Sequence, residues 1–138
     1  YVEADDEADT LLVRLRDAMV VSCRARGLRL TVSVPPVGLD HNLTPDERKN
    51  IWLMLKEAVT NASRHSGGTE IRVTLWAAGR GVRIAVQDDG SGHTPPSWTE
   101  GRGMGTMKAR AEAVGGSMSV RAQPEGGTTV EFVLPLST

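Results

Sequence analysis

Thr44-Pro45-Asp46-Glu47 opens the segment TPDERKNIWLMLKEAVTNASRH, residues 44–65, the longest helical pattern in the chain. Thr44 is a helix N-cap, Pro45 suits the first helical position, and Glu47 stands three residues after the cap, where it closes a capping box. A long helix to about His65 follows, ended by Gly67-Gly68. Ile51, Leu55, Ala58, Val59 and Ala62 give it an apolar side. Glu57, Asn61 and His65, spaced four apart, share another face with Arg64 beside them.

Upstream, Leu11, Leu12, Leu15, Ala18, Met19 and Ser22 fall at helical spacing, which predicts a helix from about Asp9 to Arg26 with Gly27 as its stop. Leu28, Leu30, Val32 and Val34 then alternate with Arg29, Thr31 and Ser33 up to Pro35-Pro36, the pattern of a strand with one buried face. Downstream, Ile71, Val73 and Leu75 form one alternating run and Val82, Ile84 and Val86 another, joined by a hairpin turn at Ala78-Gly79-Arg80-Gly81. From Asp88 to Gly105 periodicity gives way to Gly, Ser, Thr and Pro, a loop longer than a plain connection needs. A helix from about Met104 to Val114 ends at Gly115-Gly116. Met118 and Val120 then start a strand, Pro124-Glu125-Gly126-Gly127 turns, and Val130, Phe132 and Leu134 complete a last hairpin. This order predicts an α+β, two-layer sandwich with helices on one face of a mixed, mostly antiparallel sheet.

At 138 residues and 39% hydrophobic, the chain suits one domain, residues 1–138. Sixteen basic residues against seventeen acidic ones provide no footprint for direct nucleic-acid binding, so any polyanion must be held locally. A single cysteine, Cys23, cannot close an internal disulfide and points to a buried thiol in a reducing compartment. No apolar run reaches membrane-spanning length, so the chain is expected to be soluble. It starts without Met, and the expectation is a piece of a larger protein.

Three short segments carry chemistry, each beside a plainer reading. A carboxylate and an amide one turn apart, Glu57 and Asn61, suit a hard cation or its water, and Arg64 suits a phosphate; the alternative is a solvated helix face. Asp88-Asp89-Gly90-Ser91-Gly92 stands where a strand leaves the sheet. Asp there can accept from an exocyclic amine while the glycines admit a flat ring; the alternative is an Asp-Gly turn. Gly101-Arg102-Gly103-Met104-Gly105 opens a helix whose free amides and dipole favour phosphate; the alternative is a flexible loop.

The order of these pieces is more specific than any one of them. Glu-x-x-x-Asn-x-x-Arg-His on a helix, Asp-x-Gly-x-Gly after a strand, Gly-x-Gly-Met opening a helix and Gly-Thr before the last strand resemble the Bergerat nucleotide-binding fold. That fold is shared by histidine kinases, gyrase-type topoisomerases, a class of heat-shock chaperones and mismatch-repair ATPases. The likeness covers nearly the whole chain and is nearest to histidine kinases with a short lid, whose partners are helix-turn-helix response regulators. Residues 57–66 look like the N box of that group, 88–92 like its G1 box and 103–116 like its G2 box with the helix that follows.

That resemblance implies an ATP-binding catalytic domain, cytoplasmic, cut from a larger sensor kinase that is either soluble or anchored in the inner membrane by its other segments. Asn61 would hold Mg²⁺ against the triphosphate, and Glu57 would be the general base. Arg64 and His65 would lie by the phosphates. Asp88 would accept the adenine amine, helped by Thr128 through water, with Gly90 and Gly92 shaping the base pocket. Gly103, Met104 and Gly105 would close on the phosphates as a lid orders. Ser91 to Arg102 are expected to be mobile without nucleotide. His93 and Met104 depart from the usual apolar residue and Leu.

The acceptor in such kinases is a histidine on a dimerisation helix. Neither His41, His65 nor His93 fits that role, so the chain is expected to bind ATP without phosphorylating itself. The partners implied are that helix of the full-length kinase and a response regulator; the piece would be monomeric and the full-length protein a homodimer. Two other readings share the fold. One is a serine kinase of the anti-sigma-factor type, which upstream residues encoding a His-bearing helix would exclude. The other is a nucleotide-binding interaction module, which has no need of Glu57, Asn61 and Asp88 together.

Overall fold

A computed structural model describes residues 10–33, 44–65, 68–90, 104–124 and 126–136. Three helices and five strands follow one another as α1 (Thr10–Ala25), β1 (Arg29–Ser33), α2 (Pro45–His65), β2 (Glu70–Ala78), β3 (Gly81–Asp88), α3 (Met104–Ala113), β4 (Ser117–Ala122) and β5 (Thr128–Pro135). The strands form one sheet in the order β1-β2-β3-β5-β4. β1 and β2 run parallel, and every other neighbour is antiparallel. The mixed, mostly antiparallel α+β sandwich expected from the sequence is the fold.

The apolar alternation in the sequence becomes rows across the sheet. Val32, Val73, Val86, Val130 and Val120 stand opposite one another through all five strands. The next row is Leu75, Ile84, Phe132 and Met118. A branched side chain stiff at χ1 packs well on a pleated surface, which is why valine dominates here. Ile51, Met54, Leu55, Ala58, Val59 and Ala62 of α2, Met107 and Ala111 of α3, and Met19 and Cys23 of α1 close over these rows in one core. α1 packs on β1 and α2, α2 on β2 and β3, and α3 on β4 and β5. On the other face Trp76 and its cross-strand partner Arg83 are half-buried, the guanidinium 5.9 Å from the ring centre.

Three helix boundaries have a local cause among the described residues. Thr44 Oγ1 accepts from the Glu47 amide at 3.1 Å and Glu47 Oε1 accepts from the Thr44 amide at 2.9 Å, the expected capping box. α1 and α3 both end in a Schellman motif. Gly27, at φ 73°, donates to Arg24 while Leu28 donates to Cys23; Gly115, at φ 82°, donates to Glu112 while Gly116 donates to Ala111. The buried stripe of α1 corrects one expectation. Met19 and Cys23 face the core, but Ala18 and Ser22 are exposed, because α1 meets only one edge of the sheet and α2. The side chains of Leu11, Leu12 and Leu15 lie outside the described residues, as do Val34, Pro35, Pro36, His41 and the segment 91–103. Burial raises the Cys23 thiol above its ordinary range, against the opposing charge of Arg26, which suits an inert core thiol. Among the described residues no helix is long and apolar enough to cross a membrane.

Candidate active site

Alternation along β3 puts Val82, Ile84, Val86 and Asp88 on the buried face. The last is a carboxylate where the period asks for an apolar side chain. Asp88 is 4% exposed, and its Oδ1 accepts from the Gly90 amide at 2.9 Å and the Thr128 amide at 3.3 Å. No hydrogen bond from the described residues reaches Oδ2. Burial pushes the Asp88 carboxyl above its usual range; the two amides oppose this, and the neighbouring charge of Asp89 adds to it. A half-satisfied carboxylate at the rim of an apolar core is equipped to accept one more hydrogen bond from a ligand.

Thr128 is buried at the start of β5, so the segment Gly126-Gly127-Thr128 presses on the Asp88 corner. Gly127 has φ 100°, and a Cβ there would meet the Asp88 carbonyl and lie 3.1 Å from the Asp89 Cα. Gly126, at φ 114°, sits against the Gly90 carbonyl. These two glycines therefore shape the corner from behind. Sequence reading placed a turn and the Gly-Thr closing motif there, without this contact between the glycines and the Asp88 corner.

On α2, Glu57 is half-buried, Asn61 is 4% exposed and Arg64 is exposed. Asn61 is thus not part of a solvated face, whereas Arg64 is. Asn61 belongs to the buried set with Ala58 and Ala62, and its Nδ2 has no hydrogen-bond partner. An unpartnered buried donor costs about 1–3 kcal/mol unless an acceptor from outside the protein, such as a phosphate oxygen, completes it. Its acceptor oxygen and a carboxylate one turn away fit a magnesium ion that keeps most of its ligands from phosphate and water. Among the described residues no group of three or more His, Cys, Asp or Glu gathers for a metal, so such an ion would depend on the ligand it accompanies.

Other assigned residues divide by what the structure describes. Gly90 is half-buried and donates to Asp88. Met104 is the first residue of α3, and Gly105 follows it, exposed, with open space where a Cβ would stand. Lys108 is also exposed. His65 ends α2, but its side chain lies outside the described residues, as do the side chain of Met104 and all of Gly92, His93 and Gly103. The expectation of mobility for Ser91 to Arg102 falls outside them too.

Sequence reading missed Asp89. Its Oδ1 accepts from the amides of Thr69 at 2.7 Å and Glu70 at 2.8 Å, and its Oδ2 from the Thr69 hydroxyl at 2.7 Å. Burial tends to raise this carboxyl, but the Thr69 hydroxyl and the two amides outweigh it and hold the group below its usual range. A cleft of about 340 Å³ lined by Asp46, Asn50, Ile51, Val114 and Leu134 lies at the opposite end of the sheet and takes in none of the assigned residues. The polar groups singled out above lie elsewhere, Asp88 with Gly90 and Thr128 at the end of β3 and Asn61 with Glu57 on α2.

Comparison with known proteins identifies the family to which this fold belongs. Residues 46–138 match the family described as histidine kinase-, DNA gyrase B- and HSP90-like ATPases. The chain is similar to the sensor histidine kinase YxjM of Bacillus subtilis (strain 168), 33% identical over 110 residues, covering 79% of this chain and 27% of that protein. It is also similar to the nitrate/nitrite sensor protein NarX of Escherichia coli (strain K12), 31% identical over 122 residues, covering 84% of this chain and 20% of NarX. It thus spans about a quarter of the length of these relatives, or less. Among solved structures, the catalytic domain of the histidine kinase ThkA superposes with a TM-score of 0.75 at 18% identity, covering 95% of this chain and 93% of that one, and shares the fold.

Proposed function

The chain belongs to the histidine kinase-, DNA gyrase B- and HSP90-like ATPase family, and on that premise we propose that residues 1–138 are the ATP-binding catalytic domain of a two-component sensor histidine kinase. The observation that carries this reading is the buried, unpartnered Nδ2 of Asn61 on α2, taken with buried Asp88 at the end of β3, whose Oδ1 alone is engaged by the Gly90 and Thr128 amides. Asp88 Oδ2 accepts the exocyclic amine of adenine, a contact that guanine, with a carbonyl at that position, does not make. Thr128 and Gly90 hold Asp88 in that orientation, and Gly92 completes the base pocket. Asn61 would hold Mg²⁺ through its amide oxygen, and the ion would neutralise charge on the triphosphate. Arg64 and His65 would serve the phosphates, as would the backbone amides of Gly103, Met104 and Gly105.

Glu57 stands one turn before Asn61 on the same helix, and as general base it takes the proton from the attacking imidazole. The protein's own contribution is position and charge neutralisation, which phosphoryl transfer chiefly needs. The acceptor is a histidine on a dimerisation helix outside residues 1–138, in a larger cytoplasmic or membrane-anchored homodimer that passes its phosphoryl group to a helix-turn-helix response regulator. Incubation with γ-labelled ATP tests the division of labour. The chain alone should acquire no label on His41, His65 or His93, and should label a dimerisation helix bearing its acceptor histidine when mixed with it. Glu57→Gln should slow that transfer by about 10²-fold or more, the range of a lost general base. Stable label on the chain's own histidines would contradict the reading.

A further inference from the structure

Asp89 sits just past the end of β3, exposed, with no part in the chemistry proposed for its neighbour. Its surroundings give it another task. The ladder between β2 and β3 ends at the pair Ile71–Asp88. Beyond it β3 bends away, since the Gly90 amide turns back onto Asp88 Oδ1. That departure takes backbone acceptors from the first residues of β2. The Asp89 carboxylate supplies them instead, accepting the Thr69 and Glu70 amides on Oδ1 and the Thr69 hydroxyl on Oδ2.

The approach is close. A Cβ on Gly68 would collide with Asp89 Oδ1 and come within 2.8 Å of the Asp89 carbonyl carbon and the Gly90 nitrogen. Thr69 is fixed from its other side as well, because its carbonyl accepts the Arg29 amide of β1 at 2.9 Å. Gly68 follows shortly after His65, the last residue of α2. The carboxylate therefore ties the exit of the helix that carries Glu57 and Asn61 to the corner that carries Asp88.

We infer that Asp89 is a positioning residue: its carboxylate replaces the strand ladder where β3 leaves β2, and so fixes the aim of Asp88 Oδ2 at the amine of a bound adenine. This rests on the nucleotide reading of the site. The acceptor geometry, not the charge, is what the role requires. An asparagine keeps one oxygen for the two amides, and its NH₂ donates to a rotated Thr69 hydroxyl.

Calorimetric titration of the whole chain with ADP and with GDP provides the test. Asp89→Ala should weaken ADP binding about tenfold and reduce the preference for ADP over GDP by a similar factor, the scale of losing charge-assisted hydrogen bonds. Asp89→Asn should stay within about threefold of the wild type in both. An Asp89→Ala protein with unchanged affinity and preference overturns the inference, as does an Asp89→Asn protein impaired equally. If Asp89→Ala does not fold, Asp89→Asn decides alone: retained base preference supports the role and lost preference overturns it. Amide exchange reads the same contacts without ligand. Slow exchange at Thr69 and Glu70, kept in Asp89→Asn, supports the ladder substitution, and fast exchange in the wild type overturns it. A wild-type chain that binds no ADP but shows this protection would instead sink the nucleotide reading.

Discussion

The carboxyls of Asp88 and Asp89 are adjacent in the chain and shifted in opposite directions. Burial raises Asp88, whereas donors from Thr69 and Glu70 lower Asp89. For Asp88 the folded state holds the proton more tightly than the unfolded one. Stability is therefore lost as pH rises from the ordinary carboxylate range through the raised folded value, and stays lost at neutral pH. Asp89 has the opposite sign: its contribution is present at neutral pH and disappears as pH falls through its lowered value. Asp88→Asn should consequently stabilise the ligand-free protein at pH 7 by about 1 kcal/mol, a few degrees of melting temperature, and the gain should vanish in acid. Thermal melts from pH 3 to 8 check this. A variant less stable than wild type at pH 7 would mean that the carboxylate serves the fold rather than a ligand.

At the scale of elements, α2 divides its labour along its length. Its first turn is a capping box, its middle supplies Ile51, Met54 and Leu55 to the core, and its last two turns carry Glu57 and Asn61. Thr44→Ala should cost about 1 kcal/mol in urea unfolding while leaving nucleotide affinity unchanged, because the cap lies at the helix end remote from Asn61. An affinity loss as large as the stability loss would show that the helix end is coupled to the site. The capping box, both glycine stops and all five strands were legible in the sequence because each depends on residues a few positions apart. Two features were not. Asn61 lies on the border between the polar and apolar sides of α2, and which way it is buried depends on how that helix sits on β2 and β3. Asp89 reaches Thr69, twenty positions away, through a pairing register that no local pattern encodes. Even so, the period of β3 carried one unread sign: after Val82, Ile84 and Val86, the next inward position is an aspartate.

Across the whole molecule, the part that holds it together and the part that does chemistry are separated along the strands. The row of five valines and the row through Phe132 anchor the middle of the sheet under α2. The Asp88 corner stands at one end, where β3 stops and β5 begins, and Glu57 and Asn61 lie in the second half of α2. Such an arrangement lets the corner stay incompletely satisfied, because the core supplies stability independently of it. It also means that a folded chain with an inert site is obtainable by single substitutions, which makes the central claim directly measurable. Isothermal titration with a non-hydrolysable ATP analogue, with and without Mg²⁺, should give saturable one-site binding that tightens with the metal. Asn61→Ala should abolish the metal dependence, and Asp88→Asn should weaken binding by about tenfold or more while melting no lower than wild type. Absence of saturable binding, or unchanged affinity in both variants, would contradict the account.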